Sequence, residues 1–227
     1  MKQDQAEYLK VLYANRFDSK QRRAKNALWK VLIQSFLQAH VGRNGKVLVL
    51  DIAGGYCEFI NQVQAQEKFL IDLNPDAQDF ADQNVKVLQL DILNKINPEI
   101  LPCAYFDAIF VSNFFEHLRS KEELIQVLSF CFERLKPGGN LLVIQPNFKY
   151  SYREYYDFID HYLPITDCSL EEVLRAIGFS IEMMIPRFLP FSTKGRPSST
   201  LLLKIYLKIP LLWNLLGGQL FVKASRP

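Results

Sequence analysis

The sequence lacks most of the features that would set its class at once. Its four cysteines, Cys57, Cys103, Cys131 and Cys168, form no Cys-x-x-Cys pair, so neither a disulfide framework nor a zinc site is indicated, and no metal is expected. With only ten glycines and eleven prolines in 227 residues, collagenous and disordered classes drop out. The opening MKQDQAEYLK has no apolar stretch of the export-signal kind, and a cytoplasmic protein with reduced thiols is expected. Charge of one sign is scarce too. The net charge is only +3, and the cations are spread along the chain apart from one cluster at Arg16, Lys20, Arg22, Arg23 and Lys25, which reads as a solvated helix face and makes nucleic acid the weaker choice of partner. No G-x-G-x-x-G follows the first apolar run, which argues against a nicotinamide-dependent dehydrogenase.

What the chain does have is alternation. Between Asp18 and His40 the residues Ala24, Ala27, Leu28, Val31, Leu32, Phe36 and Ala39 recur at helical spacing, predicting a helix docked by one face. Five short, nearly unbroken apolar runs follow at 46–53, 68–73, 85–91, 106–113 and 140–146, the pattern of strands covered on both faces. Between them lie helical segments. Ser120 and Glu123 form an S-x-x-E box with Pro137-Gly138-Gly139 as the stop, and Ser169 and Glu172 repeat the box before Gly178. Strand alternating with helix implies a single α/β domain with a doubly wound, mostly parallel sheet. The runs 179–186 and 219–225 are placed to complete one edge of it.

In such a sheet ligands lie past the carboxyl ends of the strands. The first strand ends in Asp51-Ile52-Ala53-Gly54-Gly55-Tyr56-Cys57, a small-residue turn that opens a helix and lets backbone approach a ligand. The second ends in Asp72, about twenty residues on, where a carboxylate can accept both hydroxyls of a ribose or can cap the Asn74-Pro75 turn. The third ends in Asp91-Ile92, suited to an adenine amine and ring or to a plain strand-end turn. The fourth ends in Ser112-Asn113-Phe114-Phe115-Glu116-His117-Leu118. One nucleoside site accounts for all four.

The ordered set VLVLDIAGGYCEF, FLIDLNPDA, VLQLDIL, FDAIFVSNFFEHL and RLKPGGNLLVI, over roughly Lys46 to Pro146, resembles the motifs of class I S-adenosylmethionine-dependent methyltransferases. The resemblance implies a seven-stranded Rossmann-like sheet with an antiparallel last strand, and S-adenosylmethionine as cofactor. It implies that Asp51, Ala53, Gly54 and Gly55 border the methionine moiety, Asp72 and Leu73 the ribose, and Asp91 and Ile92 the adenine, with Asn113 and Phe114 flanking the cofactor. The family's turn usually reads D-x-G-x-G-x-G, and here Ala53 and Cys57 replace the first and third glycines. If Cys57 needs a positive φ, its side chain costs about 1 kcal/mol or more; in a first helical turn it costs almost nothing.

These boundaries divide the one domain into a helical cap (1–45), a cofactor-binding core (46–146), a substrate-facing lid (147–168) and an apolar helical insertion (191–218). The lid is rich in Tyr and resembles, in its Tyr-x-Asp-Phe-x-Asp-His-like stretch, a bacterial subset associated with surface-polysaccharide synthesis. That implies O-methylation of a sugar or lipid-linked glycan, with His161 as proton acceptor, Asp157 orienting it from four residues away, and His117 or Glu116 competing for the role. Rival readings are a cofactor-binding scaffold without catalysis and a methyltransferase acting on another small molecule or on nucleic acid. The absence of an Asn/Asp-Pro-Pro-Tyr/Phe sequence after the fourth strand weakens the nucleic-acid reading. Residues 201–216 are strongly apolar but interrupted by Lys204, Lys208 and Pro210, too short to span a bilayer. They read as an insertion packed on the domain or at a dimer seam, or as a peripheral contact with the inner face of the membrane.

Overall fold

A computed structural model describes residues 19–42, 46–94, 96, 99–192 and 199–227; Arg16 and Asp18 of the expected N-terminal helix lie outside them. Seven strands form one sheet: β1 (Leu48–Ile52), β2 (Glu67–Asp72), β3 (Val85–Gln89), β4 (Phe106–Ser112), β5 (Leu135–Pro146), β6 (Ser180–Leu189) and β7 (Gln219–Ser225), in the order β3-β2-β1-β4-β5-β7-β6. Strands β1 to β5 pair in parallel, and β7 runs antiparallel to both β5 and β6. This is the fold class that the sequence predicts.

Each face of the sheet has its own apolar layer. On one, α1 (Ser19–Leu32) continues through a π-turn (Ile33–Leu37) into a last turn (Gln38–Val41). Its Ile33, Leu37 and Val41 are buried with Phe59, Phe110, Phe188 and Phe221. Ala27 and Ala39, expected on the buried stripe, are exposed. The wider π-turn inserts an extra residue and rotates the stripe onto Ile33 and Leu37. A short α2 (Ala77–Phe80) follows β2. The opposite face is covered by α3 (Lys121–Arg134), through Leu124, Val127, Leu128 and Cys131, and by residues of the later connection.

Two boundaries differ from expectation. Ser120 does cap α3, accepting from Glu123 N–H, but the helix stops at Arg134, and Pro137-Gly138-Gly139 lies inside the long β5. A short α4 (Phe148–Ser151) follows. The next long helix, α5 (Asp167–Ile177), begins three residues earlier than the Ser169-Glu172 box implies. Thr166 Oγ1 accepts from Ser169 N–H at 3.1 Å, and Ser169 Oγ accepts from Thr166 N–H at 2.9 Å. The hydroxyl of Ser169 thus serves the third helical position and leaves capping to Thr166. Gly178 ends the helix at φ 115 as predicted.

After β6 come α6 (Thr200–Lys208) and α7 (Pro210–Leu216). No helix among the described residues is long and apolar enough to cross a membrane. At Gly217, where the chain turns into β7, a Cβ would sit 2.6 Å from the Arg187 carbonyl carbon and the Trp213 oxygen, so only glycine fits the approach. We expect Thr166→Ala to lower stability by about 1 kcal/mol, read as a shift in the urea midpoint without a change in slope; an unchanged midpoint rules out the capping role.

Candidate active site

Strand order reverses between β1 and β4, so the carboxyl ends of β1, β2, β4 and β5 surround one crevice. The turn after β1 forms its floor. Ala53 (φ 55), Gly55 (φ 57) and Cys57 (φ 62) are all left-handed, so both departures from the glycine pattern fall where glycine is favoured, and Cys57 carries the strain that a helical turn would have spared it. This alternation also breaks the expected helix: residues 55–62 form successive turns. They are held by Cys57 N–H to Gly54 O at 2.9 Å, by Asn61 Nδ2 to Phe80 O at 2.8 Å and by Phe59 stacked on Phe110 at 3.9 Å.

Asp51 points into this turn. It is 1% exposed, and its Oδ2 has no hydrogen-bond partner. A Cβ on Gly54 would lie 2.6 Å from that oxygen, so residue 54 must be glycine while the carboxylate stays there. Asp72 ties two turns together: Oδ2 accepts from Gly55 N–H at 2.9 Å and Oδ1 from Asn74 N–H at 2.8 Å. The cap read from the Asn74-Pro75 sequence is therefore formed. Asp91 lies beyond β3 in a turn of its own, Oδ1 accepting from Leu93 N–H at 3.1 Å and Oδ2 from Asn94 Nδ2 at 3.1 Å, with Ile92 buried beside it. Asn113 (φ 50) follows β4 and donates its N–H to Ile144 O at 2.9 Å.

Burial pushes the Asp51 carboxyl well above the usual carboxylate range, and the nearby charges of Asp72 and Glu58 push it further. Asp72 is also raised by burial, partly offset by the N–H groups of Asn74 and Gly55. Two buried acids at one strand edge form a site electrostatically suited to a cation.

Past β4 and β5 lies a second polar group. Glu116 and His117 sit in a 3-10 turn (Phe115–His117). Gln145, buried at the end of β5, donates Nε2 to Glu116 Oε2 at 2.7 Å, and its Oε1 accepts from Phe115 N–H at 3.2 Å. His161 Nε2 stands 4.0 Å from Glu116 Oε1. The His161 ring stacks on Phe158 at 4.9 Å and meets Tyr155 and His117 edge-on at 4.9 Å and 5.3 Å. His117 Nδ1 is 2.8 Å from Asp160 O and 3.3 Å from Asp160 Oδ2. Burial raises the Glu116 carboxyl, and His117 and the Gln145 hydrogen bond pull it back. Donor atoms of Glu116, His117 and His161 lie within 4.8 Å of one another, a set that inward movement could close on a small cation although the sequence carries no metal motif.

One assignment needs correction. Asp157 is exposed in a short 3-10 turn (Tyr155–Asp157), and no helix continues to His161, so their four-residue spacing does not put them on one face. The carboxylate beside His161 is Glu116, from a distant part of the chain. Sequence reasoning also passed over Gln145; its one signal was an amide in the otherwise apolar run LLVIQP.

Residues 50–141 match the family model described as a methyltransferase domain. This match supports methyltransferase activity. Solved structures share the fold: a SAM-dependent methyltransferase from Archaeoglobus fulgidus is 21% identical, with 89% of this chain and 94% of that chain covered and a TM-score of 0.64. The N-methyltransferase NodS of Bradyrhizobium japonicum WM9, solved with S-adenosyl-L-homocysteine, is 14% identical, with 93% and 90% covered and a TM-score of 0.58. The [4+2]-cyclase SpnF is 16% identical, with 87% and 81% covered and a TM-score of 0.60. No curated protein matches the chain by sequence. The ammonium and sulfonium charges of S-adenosylmethionine would fit the Asp51 carboxyl and its orphaned oxygen beneath Gly54.

Two predictions follow from this edge of the sheet. Ala53→Gly should exceed Cys57→Gly in stability by about 1 kcal/mol: both relieve a left-handed side chain, but only Cys57 is fully buried and loses its packing. Equal melting temperatures would contradict this. For Asp51, an acid whose folded pKa is raised holds its proton where the unfolded chain has lost it. Its stabilising contribution is therefore complete below the ordinary carboxylate pKa and is lost as pH rises through the raised value. The Asp51→Asn protein should accordingly gain most over wild type toward neutral pH in calorimetric melts, while binding S-adenosylhomocysteine more weakly by on the order of 1–3 kcal/mol. A pH-independent difference, or unchanged affinity, counts against the assignment.

Proposed function

We propose that the chain methylates a hydroxyl of a sugar or lipid-linked glycan, with His161 taking the proton. The observation that carries this reading is the placement of His161, 8% exposed, beyond the ends of β4 and β5 with the Glu116 carboxylate 4.0 Å from Nε2. When bound, the cofactor supplies an electrophilic methyl carbon on sulfur. Asp51, Gly54 and Gly55 would hold its methionine end, Asp72 and Leu73 its ribose, and Asp91 and Ile92 its adenine, between Asn113 and Phe114. The chain then has to place the acceptor, exclude water and remove one proton. Glu116 stabilises the imidazolium that forms when His161 takes it, and Gln145 keeps that carboxylate in place. The tyrosines Tyr150, Tyr152, Tyr156 and Tyr162 stand exposed along the same segment, and flat rings with a polar edge suit a sugar, which offers apolar faces and hydroxyls together.

His161→Ala should leave S-adenosylhomocysteine affinity nearly intact and lower turnover by roughly 10²–10⁴, measured with labelled cofactor against candidate sugar and lipid-linked acceptors. Near-native turnover of His161→Gln would eliminate the base role and leave positioning as the source of catalysis.

A further inference from the structure

Exposed apolar side chains are not scattered over this molecule. Among the described residues, Leu201 (65% exposed), Leu202, Ile205, Ile209, Leu211 (76%), Leu215 (70%) and Leu216 stand out from α6 and α7, and Tyr150, Tyr152, Tyr156, Ile159 and Tyr162 stand out from the segment after β5; only Ile100 and Ile125 lie elsewhere. The two groups meet at one cleft of about 260 Å³, whose lining includes Tyr150, Arg187, Phe191, Leu216 and Gly217. Phe191 in turn lies edge-on to Phe158 at 5.8 Å and to His161 at 6.3 Å. The apolar face is thus continuous with the approach to the proposed base.

The face is held rigidly outward. Tyr206 OH donates to Phe188 O at 2.6 Å, Trp213 Nε1 to Tyr206 O at 2.8 Å, and Arg187 Nε and Nη2 to Gly217 O at 2.9 Å and Leu215 O at 3.0 Å. Trp213 packs edge-on against Phe188 at 5.2 Å. With their inner sides fastened to β6, the two helices cannot roll to hide the leucines. Charge identifies what would cover them. Neither α6 nor α7 contains an Asp or Glu, and the exposed Lys204 and Lys208 stand between the leucines of α6. A second copy laid on α6 and α7 by two-fold symmetry would bring lysines against lysines, with no carboxylate on either helix to meet them; Glu154 lies across the cleft. Anionic headgroups supply that counter-charge, while the acyl boundary takes the leucines and the lysine stems reach outward.

We propose that α6 and α7 dock the protein on an anionic lipid bilayer, so that a lipid-linked acceptor enters the cleft at Phe191 from the membrane side. The docking stands on the surface itself; the route of the acceptor rests on the glycan reading above. The test is flotation of the full chain with phosphatidylcholine vesicles with and without phosphatidylglycerol. Binding is expected only with phosphatidylglycerol and should weaken with salt. It should fall roughly fivefold for each of Lys204→Gln and Lys208→Gln and by at least about tenfold for Leu211→Asn/Leu215→Asn, whose exposed positions leave the core untouched. Unchanged S-adenosylhomocysteine affinity in each variant confirms folding. Absence of vesicle binding, indifference to phosphatidylglycerol, or a dimer that Leu211→Asn/Leu215→Asn dissolves without any lipid binding would overturn docking. Wild type that binds vesicles yet methylates only soluble acceptors leaves docking standing and removes the lipid-linked substrate.

Discussion

The rest of the site hangs on the Asp72 carboxylate, which ties the Gly55 and Asn74 N–H groups and so locks the turns after β1 and β2 to each other. The backbone it fixes is unfavourable: three left-handed residues, two of them not glycine, within five positions. Such geometry persists only where the surroundings over-determine it. Here they are a buried carboxylate on one side, the stacked Phe59 and Phe110 on another, and the Asn61 side chain, which bridges Phe80 O and the Asp82 N–H.

The same edge concentrates negative charge where solvent cannot reach it. Asp51, Asp72 and Glu116 are all buried at the carboxyl ends of strands, and burial raises all three. A crevice of this kind costs stability when empty of cations and offsets that cost when one enters. The chain answers the two ends of the crevice differently. At the glycine turn, Asp51 Oδ2 is left without a hydrogen-bond partner; at the β4–β5 end, Gln145 and the two histidines surround Glu116.

The layers outside the sheet divide the labour. One face is closed by α3 and α5, whose stripes are fully absorbed into the core. On the other, α1 and α6 share the covering, and the π-turn in α1 sets Phe36 against Phe188, Phe221 and Trp213. That aromatic cluster anchors the inner sides of α6 and α7 and leaves their outer sides bare.

By itself the sequence determined the strand count and the acids that end the strands, because unbroken apolar runs and their terminal residues are local signals. It also held the two departures at Ala53 and Cys57, although not their meaning. Whether Cys57 is strained depends on a backbone angle, and only the fold sets that angle at φ 62. Helix starts shifted for a related reason: Thr166 and Ser169 each offer a hydroxyl, and the turn after β5 decides which one caps. The polar cluster was the least legible part. Asp157 looked like the partner of His161 because spacing presumes a helix, yet the segment folds as short turns, and the carboxylate that arrives is Glu116, 45 residues away in sequence. Such pairing across the chain has no periodicity to betray it; packing of β4 against β5 and of the later segment over both is what brings the groups together.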